Sequence, residues 1–206
     1  YDAPWKDIEA QGWIAPADCV EVRVTLTDAE RMAYAVAEPD ERYKLCSTAR
    51  TKTAVVRSIL DRHPDSPALV IGAYIDQLDE LGEALDAPVI KGSTKTKERE
   101  ALFDRFRRGE LKVLVVSKVA NFSIDLPEAS VAVQVSGTFG SRQEEAQRLG
   151  RLLRPKQDGG QAHFYSVVSR DTLDAEYAAH RQRFLAEQGY AYRITDADDL
   201  LGPAIG

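Results

Sequence analysis

The segment ALVIGAYIDQLDELGEALDAPVI, residues 68–90, determines the fold class of this chain. It opens with a short apolar run, Ala68–Gly72, that suits a strand buried on both faces. Residues 76–86 carry leucines at helical spacing and predict a helix with one apolar side. Val89–Ile90 then predicts a second short strand. A strand, a helix and another strand in immediate succession indicate a parallel βαβ unit.

The same alternation extends from this segment in both directions along the chain. Further strands are predicted at Cys19–Leu26, Val113–Val116, Val131–Val135 and Ala162–Val168. Further helices are predicted at Asp28–Ala37, from Thr51 or Thr53 to a point before Pro64, and at Lys95–Arg108, Ser141–Leu153 and Thr172–Glu187. The pattern predicts an α/β domain with a mostly parallel central sheet covered by helices on both faces. Sites in such sheets gather where the strands end at their carboxyl side.

The length of the chain and the positions of its prolines and glycines predict a single folded domain with a short segment at each end. The chain has 206 residues, enough for one domain with a sizeable core. Residues 1–17, which contain two prolines and a glycine, are expected to form a connecting arm. Residues 18–189 are expected to form the domain, and residues 190–206 a C-terminal tail. Because Tyr1 is not an initiator methionine, we expect the chain to be part of a longer protein.

Composition excludes several classes of protein. No apolar run approaches the roughly 20 residues that a membrane span requires, and the N-terminus lacks the features of a secretory signal. Cys19 and Cys46 form no CxxC motif, and the three histidines are scattered, so we predict no metal site. Two unpaired thiols fit a reducing compartment, and we expect a cytoplasmic, bacterial protein.

Charge is distributed unevenly along the chain. The net charge is −6, yet residues 91–156 carry 14 Lys or Arg against 8 Asp or Glu, a balance of +6. Such asymmetry can indicate a site for a polyanion. The alternative is a solvated helix face, because residues 95–108 are predicted to form a helix of mixed charge.

The strongest local signal is the stretch SRQEEAQRLGRLLRP, residues 141–155. Ser141 and Glu144 form a capping box that predicts the start of a helix. On that helix Gln147, Arg151 and Arg154 share one stripe, while an apolar stripe can pack on the sheet. Guanidinium groups match phosphate oxygens in geometry and charge. The alternative is a surface helix whose arginines pair with nearby carboxylates.

These residues carry a resemblance to a known family. Gln147-Arg148-x-Gly150-Arg151-x-x-Arg154 resembles motif VI of superfamily-two helicases, and residues 117–127, SKVANFSIDLP, resemble motif V. The detailed sequences of both motifs are similar to those of XPB helicases. The resemblance covers about residues 18–188, and it implies the second RecA-like lobe of such a DNA helicase.

At the nucleotide, the resemblance implies roles for five residues. Arg151 and Arg154 match the arginine fingers that reach the γ-phosphate of ATP, and Gln147 matches the glutamine near that phosphate. Asp125 matches the carboxylate that approaches the nucleotide ribose, although it could instead cap a turn. Arg148 is expected beside them, also in nucleotide binding.

At the DNA, the resemblance implies contacts with the strand backbone. Ser117 matches a hydroxyl that touches the nucleic acid, and Lys118 can add a positive charge there. Gly92, Ser93 and Thr94 match a loop that contacts phosphates, where glycine permits close approach. A plain turn is the competing interpretation of that loop. Ser123 departs from the glycine that many family members carry before Ile-Asp in motif V.

The chain lacks a phosphate-binding loop and a Mg²⁺-binding D-E-x-H or D-E-x-D segment. The resemblance therefore implies that ATP and Mg²⁺ are bound mainly by a first lobe. The expected partners are DNA, that first lobe, and further repair proteins such as a nuclease. We expect an ATP-dependent helicase or translocase of 3′-to-5′ polarity, active in DNA repair or duplex opening. The alternatives are a helicase-derived docking module without catalysis, and an unrelated nucleotide-binding domain.

Overall fold

The computed structural model describes residues 17–117, 129–137, 161–187 and 190–201. The strands are β1 (Ala17–Val24), β2 (Ala68–Gly72), β3 (Val89–Ile90), β4 (Val113–Ser117), β5 (Val131–Gln134), β6 (Ala162–Ser169) and β7 (Ala191–Asp196). The helices are α1 (Asp28–Val36), α2 (Pro39–Ser47), α3 (Thr51–Asp61), α4 (Ile75–Leu85), α5 (Thr96–Arg107), α6 (Leu173–Glu187) and α7 (Ala197–Leu201). The predicted helix at Ser141–Leu153 lies outside the described residues.

The strands form one seven-stranded sheet in the order β3-β4-β2-β5-β6-β1-β7. All the pairings are parallel, which confirms the predicted sheet. At the centre, Val70 of β2 stands opposite Val115 of β4 and Val133 of β5. Because every strand runs the same way, all the carboxyl ends meet at one edge of the sheet, which we call the carboxyl edge.

Helices cover both faces of the sheet, as the sequence predicts. On one face, alternate strand residues such as Val70 pack in a buried cluster with Ile59 of α3 and Leu81 of α4. On the other face, the intervening residues pack against α5, whose Phe103 and Phe106 are buried. The alternation of the strand side chains thus builds two apolar layers from one run of sequence.

Two parts of the prediction require correction. The expected tail contains β7, which pairs in parallel with β1, and α7, whose Ala197 is part of the core. Residues 191–201 therefore belong to the folded domain. No helix is predicted at α2, because Pro39 comes just after the predicted helix Asp28–Ala37, and a proline there is common after a helix end. Proline is well suited to the first turn of a helix, and Pro39 begins α2 in this way.

Candidate functional site

The loop after β3 is the first predicted DNA-binding element that the structure describes. Thr94 closes it as a tight turn: its hydroxyl accepts a hydrogen bond from the Lys91 N–H at 2.9 Å, and its own N–H donates to the Lys91 carbonyl at 3.1 Å. Gly92 and Ser93 are exposed at the tip. Gly92 does not have a positive φ, so the turn itself does not require glycine there. The loop is therefore a turn whose tip is open to a ligand.

Lys91 itself is held in place beside this turn. Its ammonium group contacts the Asp79 carboxylate at 2.7 Å, which ties the start of the loop to α4. The tip residues of the loop are therefore presented from a base fixed on both sides, by β3 and by α4.

Ser117 lies at the position that the sequence predicts, as the last residue of β4. Since Ile90 pairs with Val116, the chain leaves β3 and β4 side by side at the carboxyl edge. The Ser117 side chain, however, is only 1% exposed. A contact between its hydroxyl and DNA stays a prediction.

The remaining predicted site residues fall outside the described part of the chain. They are Lys118, Asp125, Gln147, Arg148, Arg151 and Arg154. Their roles at ATP and at DNA stay predictions.

Part of the positive charge of residues 91–156 is neutralised by ion pairs within the fold. On α5 and the turn after it, three arginines form exposed ion pairs: Arg107 with Asp104, and Arg105 and Arg108 with Glu110. For this stretch the solvated helix face is the better interpretation. A polyanion site within residues 91–156 must therefore use the other lysines and arginines of that stretch.

The structure also shows a polar network that the sequence did not predict. It surrounds residues 135–137, which follow β5 at the carboxyl edge, and we call this stretch the β5 exit. The Lys52 ammonium group donates to the Val135 carbonyl and to the Asp174 carboxylate, both at 2.7 Å. Lys52 is 1% exposed, so this is a buried ion pair.

The middle residue of the β5 exit bonds to the end of β2 and to α4, and through α4 it is linked to α2. The Ser136 hydroxyl accepts a hydrogen bond from the Ala73 N–H and donates one to the Gln77 side chain, both at 2.8 Å. The Gln77 amide in turn donates to the Ser47 carbonyl at 2.9 Å. The ends of β2 and β5 are thus joined to α2 and α4.

Close packing supports the same network. A Cβ atom at Gly72 would lie 3.0 Å from the Ser136 hydroxyl and 2.9 Å from a Leu78 methyl group. The backbone of β2 therefore approaches the β5 exit more closely than a larger residue would allow.

One signal in the sequence could have revealed Lys52. Val55, Val56 and Ile59 follow it at helical spacings of three, four and seven residues, so Lys52 belongs to the apolar stripe of α3. A lysine on such a stripe indicates a buried partner. The partner, Asp174, lies 122 residues away and could not be named from the sequence.

The described residues contain no group of three or more His, Cys, Asp or Glu side chains that could hold a metal ion. The described residues thus offer no ready donor set for Mg²⁺. Among the same residues, no helix is long and apolar enough to cross a bilayer.

The sequence matches one protein family over most of its length. Residues 8–201 match the family described as ERCC3/RAD25/XPB C-terminal helicase. The chain is 82% identical over 205 residues to "DNA 3'-5' helicase XPB" of Mycobacterium tuberculosis (strain ATCC 25618 / H37Rv), covering 100% of this chain and 37% of that protein. It is 74% identical over 202 residues to the protein of the same name from Kineococcus radiotolerans, covering 98% of this chain and 36% of that protein.

The chain is also similar to a more distant relative and to a solved structure. "Putative DNA 3'-5' helicase Rad25" of Halobacterium salinarum is 37% identical, over 97% of this chain and 32% of its own length. The C-terminal domain of the DEAD-box protein Dbp5 superposes with a TM-score of 0.63 at 16% identity, covering 90% of this chain and 92% of that one. That likeness shows the fold alone. The chain spans about a third of the length of these curated relatives.

Proposed function

The chain belongs to the ERCC3/RAD25/XPB C-terminal helicase family, and from this we propose that it is the second motor lobe of an ATP-dependent DNA helicase or translocase of 3′-to-5′ polarity. Its fold is that of the C-terminal RecA-like domain of helicases. The activity of the whole protein, its action in DNA repair or duplex opening, and its partners are parts of the proposal. The observation that carries it is the family match, which spans residues 8–201 and therefore includes both motifs.

In this proposal Arg151 and Arg154 are the residues of the chain that act in catalysis. Bound ATP places negative charge on its γ-phosphate, and that charge increases as the terminal bond breaks. Guanidinium groups supplied by this lobe would stabilise it from the side opposite the first lobe. Gln147 would orient the attacking water, while Arg148 and Asp125 would contact the nucleotide. ATP and Mg²⁺ would be bound mainly by the first lobe.

The DNA track of this lobe would lie at the carboxyl edge of the sheet. Gly92 and Ser93 are exposed there on a loop anchored by Lys91 and Thr94. Backbone N–H groups and hydroxyls are suited to phosphate oxygens, and such contacts read no sequence. Ser117 and Lys118 would add contacts from the neighbouring strand end. Closing and opening of the two lobes would then move this track along DNA.

Replacing Arg151 by Lys in the full-length protein tests the proposal. Lysine keeps the positive charge but loses the two-pronged geometry that fits a phosphate. We expect DNA-stimulated ATP turnover to fall by about a thousandfold or more. ATP affinity should change far less, because most of its contacts belong to the first lobe. A steady-state phosphate-release assay, with ATP binding measured separately, gives both quantities.

The matched control is Arg107→Lys, which alters an exposed arginine paired with Asp104 on α5. It should leave turnover unchanged. A normal rate for Arg151→Lys combined with a large loss of folding stability would make Arg151 a structural residue. The alternative is a docking module without catalysis, with DNA or repair proteins such as a nuclease as its partners, and it predicts no DNA-stimulated turnover even in the natural full-length protein.

A further inference from the structure

The β5 exit is held by side chains from two helices that precede it in the sequence. From α3, Lys52 donates a hydrogen bond of 2.7 Å to the Val135 carbonyl. From α2, the Tyr43 hydroxyl donates to the Gly137 carbonyl at 2.7 Å and accepts from the Gly137 N–H at 3.1 Å. One hydroxyl thus satisfies both backbone groups of the same residue, which fixes the orientation of that peptide.

Both side chains are themselves held from behind. Asp174, at the start of α6, accepts from Lys52 at 2.7 Å and from the Ser169 N–H at 3.0 Å. The ring of Tyr43 meets the ring of Tyr177 edge-on, with centroids 5.0 Å apart. Neither Lys52 nor Tyr43 can therefore move without disturbing α6 as well.

The Tyr43 hydroxyl is protonated at neutral pH, as a tyrosine ordinarily is. Burial, and after it the negative charge of Asp174, raises the pKa of the Tyr43 hydroxyl well above its ordinary value. The hydroxyl stays protonated at neutral pH, so it can donate to the Gly137 carbonyl while accepting from the N–H.

Side chains of the neighbouring elements lie close to this stretch. A Cβ atom added to Gly137 would lie 3.0 Å from the Gln134 amide nitrogen and 3.1 Å from an Arg181 guanidinium nitrogen. Burying an ammonium group is also an expensive way to stabilise a fold, since apolar residues of similar size often serve as well or better. The buried Lys52 pair therefore suits a role in which it fixes the direction of the backbone as it leaves β5.

We infer that Tyr43 and Lys52 are positioning residues for ATP hydrolysis, which act by fixing the backbone of the β5 exit. Beyond Gly137 the chain continues to Gln147, Arg151 and Arg154. The inference rests on the proposed function, in which those three residues meet the γ-phosphate. Reacting groups must be placed to within about 1 Å, and a misplacement of that size can slow a reaction about a hundredfold.

Tyr43→Phe in the full-length protein is the sharpest test, because it removes one hydroxyl and keeps the ring. We expect kcat for ATP hydrolysis to fall by between about ten- and a hundredfold, while KM for ATP changes by less than about threefold, since ATP is bound mainly by the first lobe. The control is Tyr34→Phe. Tyr34 also accepts a backbone hydrogen bond at this edge, from the Leu173 N–H at 3.0 Å, but that bond lies away from the β5 exit. It should leave kcat unchanged.

A double variant shows whether Tyr43 acts through the arginine. If it does, Tyr43→Phe should slow the Arg151→Lys protein little further, because the group being positioned is already impaired. If Arg151→Lys is itself slow, equal fractional losses in both backgrounds would overturn the inference. So would a normal kcat for Tyr43→Phe, or a loss matched by Tyr34→Phe.

The two proposals fail in different ways. A normal rate for Arg151→Lys with a slow Tyr43→Phe protein would overturn the role of Arg151 and leave Tyr43 as a positioning residue for another group. A slow Arg151→Lys protein with a normal Tyr43→Phe protein would do the reverse. Lys52→Met is the less informative variant, because it leaves Asp174 buried without its partner.

Discussion

Lys52 is a charged residue on the apolar side of a helix, and two contacts compensate for the burial of its charge. A buried ammonium group without partners is strongly destabilising, so it must either be paired or lose its charge. Asp174 supplies the opposite charge, and the Val135 carbonyl takes a second hydrogen bond. The side chain is therefore a fixed tie between α3, the β5 exit and α6.

Replacing Lys52 by Met should strongly destabilise the domain. The change leaves the Asp174 carboxylate buried without its main partner, and breaking such a pair from one side costs about 3–5 kcal/mol. Urea denaturation of the chain, followed by circular dichroism, measures the loss in free energy of unfolding.

Lys112 offers a matched control for this prediction. It also contacts a carboxylate and a backbone carbonyl, those of Asp65 and Pro64, but its side chain is 61% exposed. Lys112→Met should change the free energy of unfolding by less than about 1 kcal/mol. Similar losses for both variants would mean that burial does not set the strength of the Lys52 pair.

The sequence predicts where a single residue lies in a strand or turn better than it predicts which residues that residue contacts. Ser117 ends a strand, as expected, and Gly92 to Thr94 form a turn after one. The 1% exposure of Ser117 could not be foreseen, because burial at the end of a strand depends on tertiary packing. The network around Ser136 joins residues distant in the sequence, and only the assembled sheet brings them together.

Helix α1 is held to the domain by polar contacts, while its apolar side stays in water. Met32 and Val36 are 73% and 84% exposed, and no residue of α1 is buried. Its attachments are the Glu30 carboxylate, which accepts from the Arg50 N–H at 2.9 Å, and the Tyr34 hydroxyl at α6. Glu30 also completes a capping box with Thr27. One carboxylate thus both starts the helix and anchors it.

The stability contributed by Glu30 should depend on pH. Burial raises the pKa of Glu30, but hydrogen bonds from the N–H groups of Arg50 and Thr27, with other polar contacts, outweigh it, so the net pKa lies below its ordinary value. A lowered folded-state pKa means that the contribution is complete above the unfolded pKa and is lost as the pH falls through the folded one.

Glu30→Gln should therefore destabilise the chain by about 1 kcal/mol at neutral pH, because the amide nitrogen would face a backbone N–H. The gap from the natural chain should narrow in acid, as the natural carboxyl becomes protonated. Denaturation curves at a series of pH values measure it. A gap that is constant from neutral to acid pH would show that the charge of Glu30 is not involved.

Elements with a strong apolar pattern were predictable, and elements with weak patterns were not. The bounds of β2 and β3 were predicted to the residue, because each is a short apolar run between turn residues. Strand β7 was missed, because it lies at an edge of the sheet and four of its six residues are exposed. Its pairing with β1 is a tertiary contact that local sequence does not announce.

At the scale of the molecule, the chain carries one side of a proposed two-lobed ATP site. It contains neither a phosphate-binding loop nor the acidic segment that holds Mg²⁺ in such enzymes. We therefore expect the isolated chain to show no ATPase above background, with or without DNA. Phosphate release by the purified chain measures this, with the full-length protein as the positive control. Turnover that Arg151→Ala abolishes would contradict the expectation.

The order of strands in the sheet has a consequence for the making of this protein in a cell. Val22 of β1 pairs with Val167 of β6, about 145 positions later in the chain. A ribosome that adds about 5–20 residues per second needs roughly 7–30 seconds to cover that interval. Throughout that time β1, a strand that is mostly buried in the folded domain, has left the exit tunnel without either of its neighbours. A translational pause before β6 would prolong its exposure, and nascent chains stalled there should be the ones that engage chaperones or aggregate.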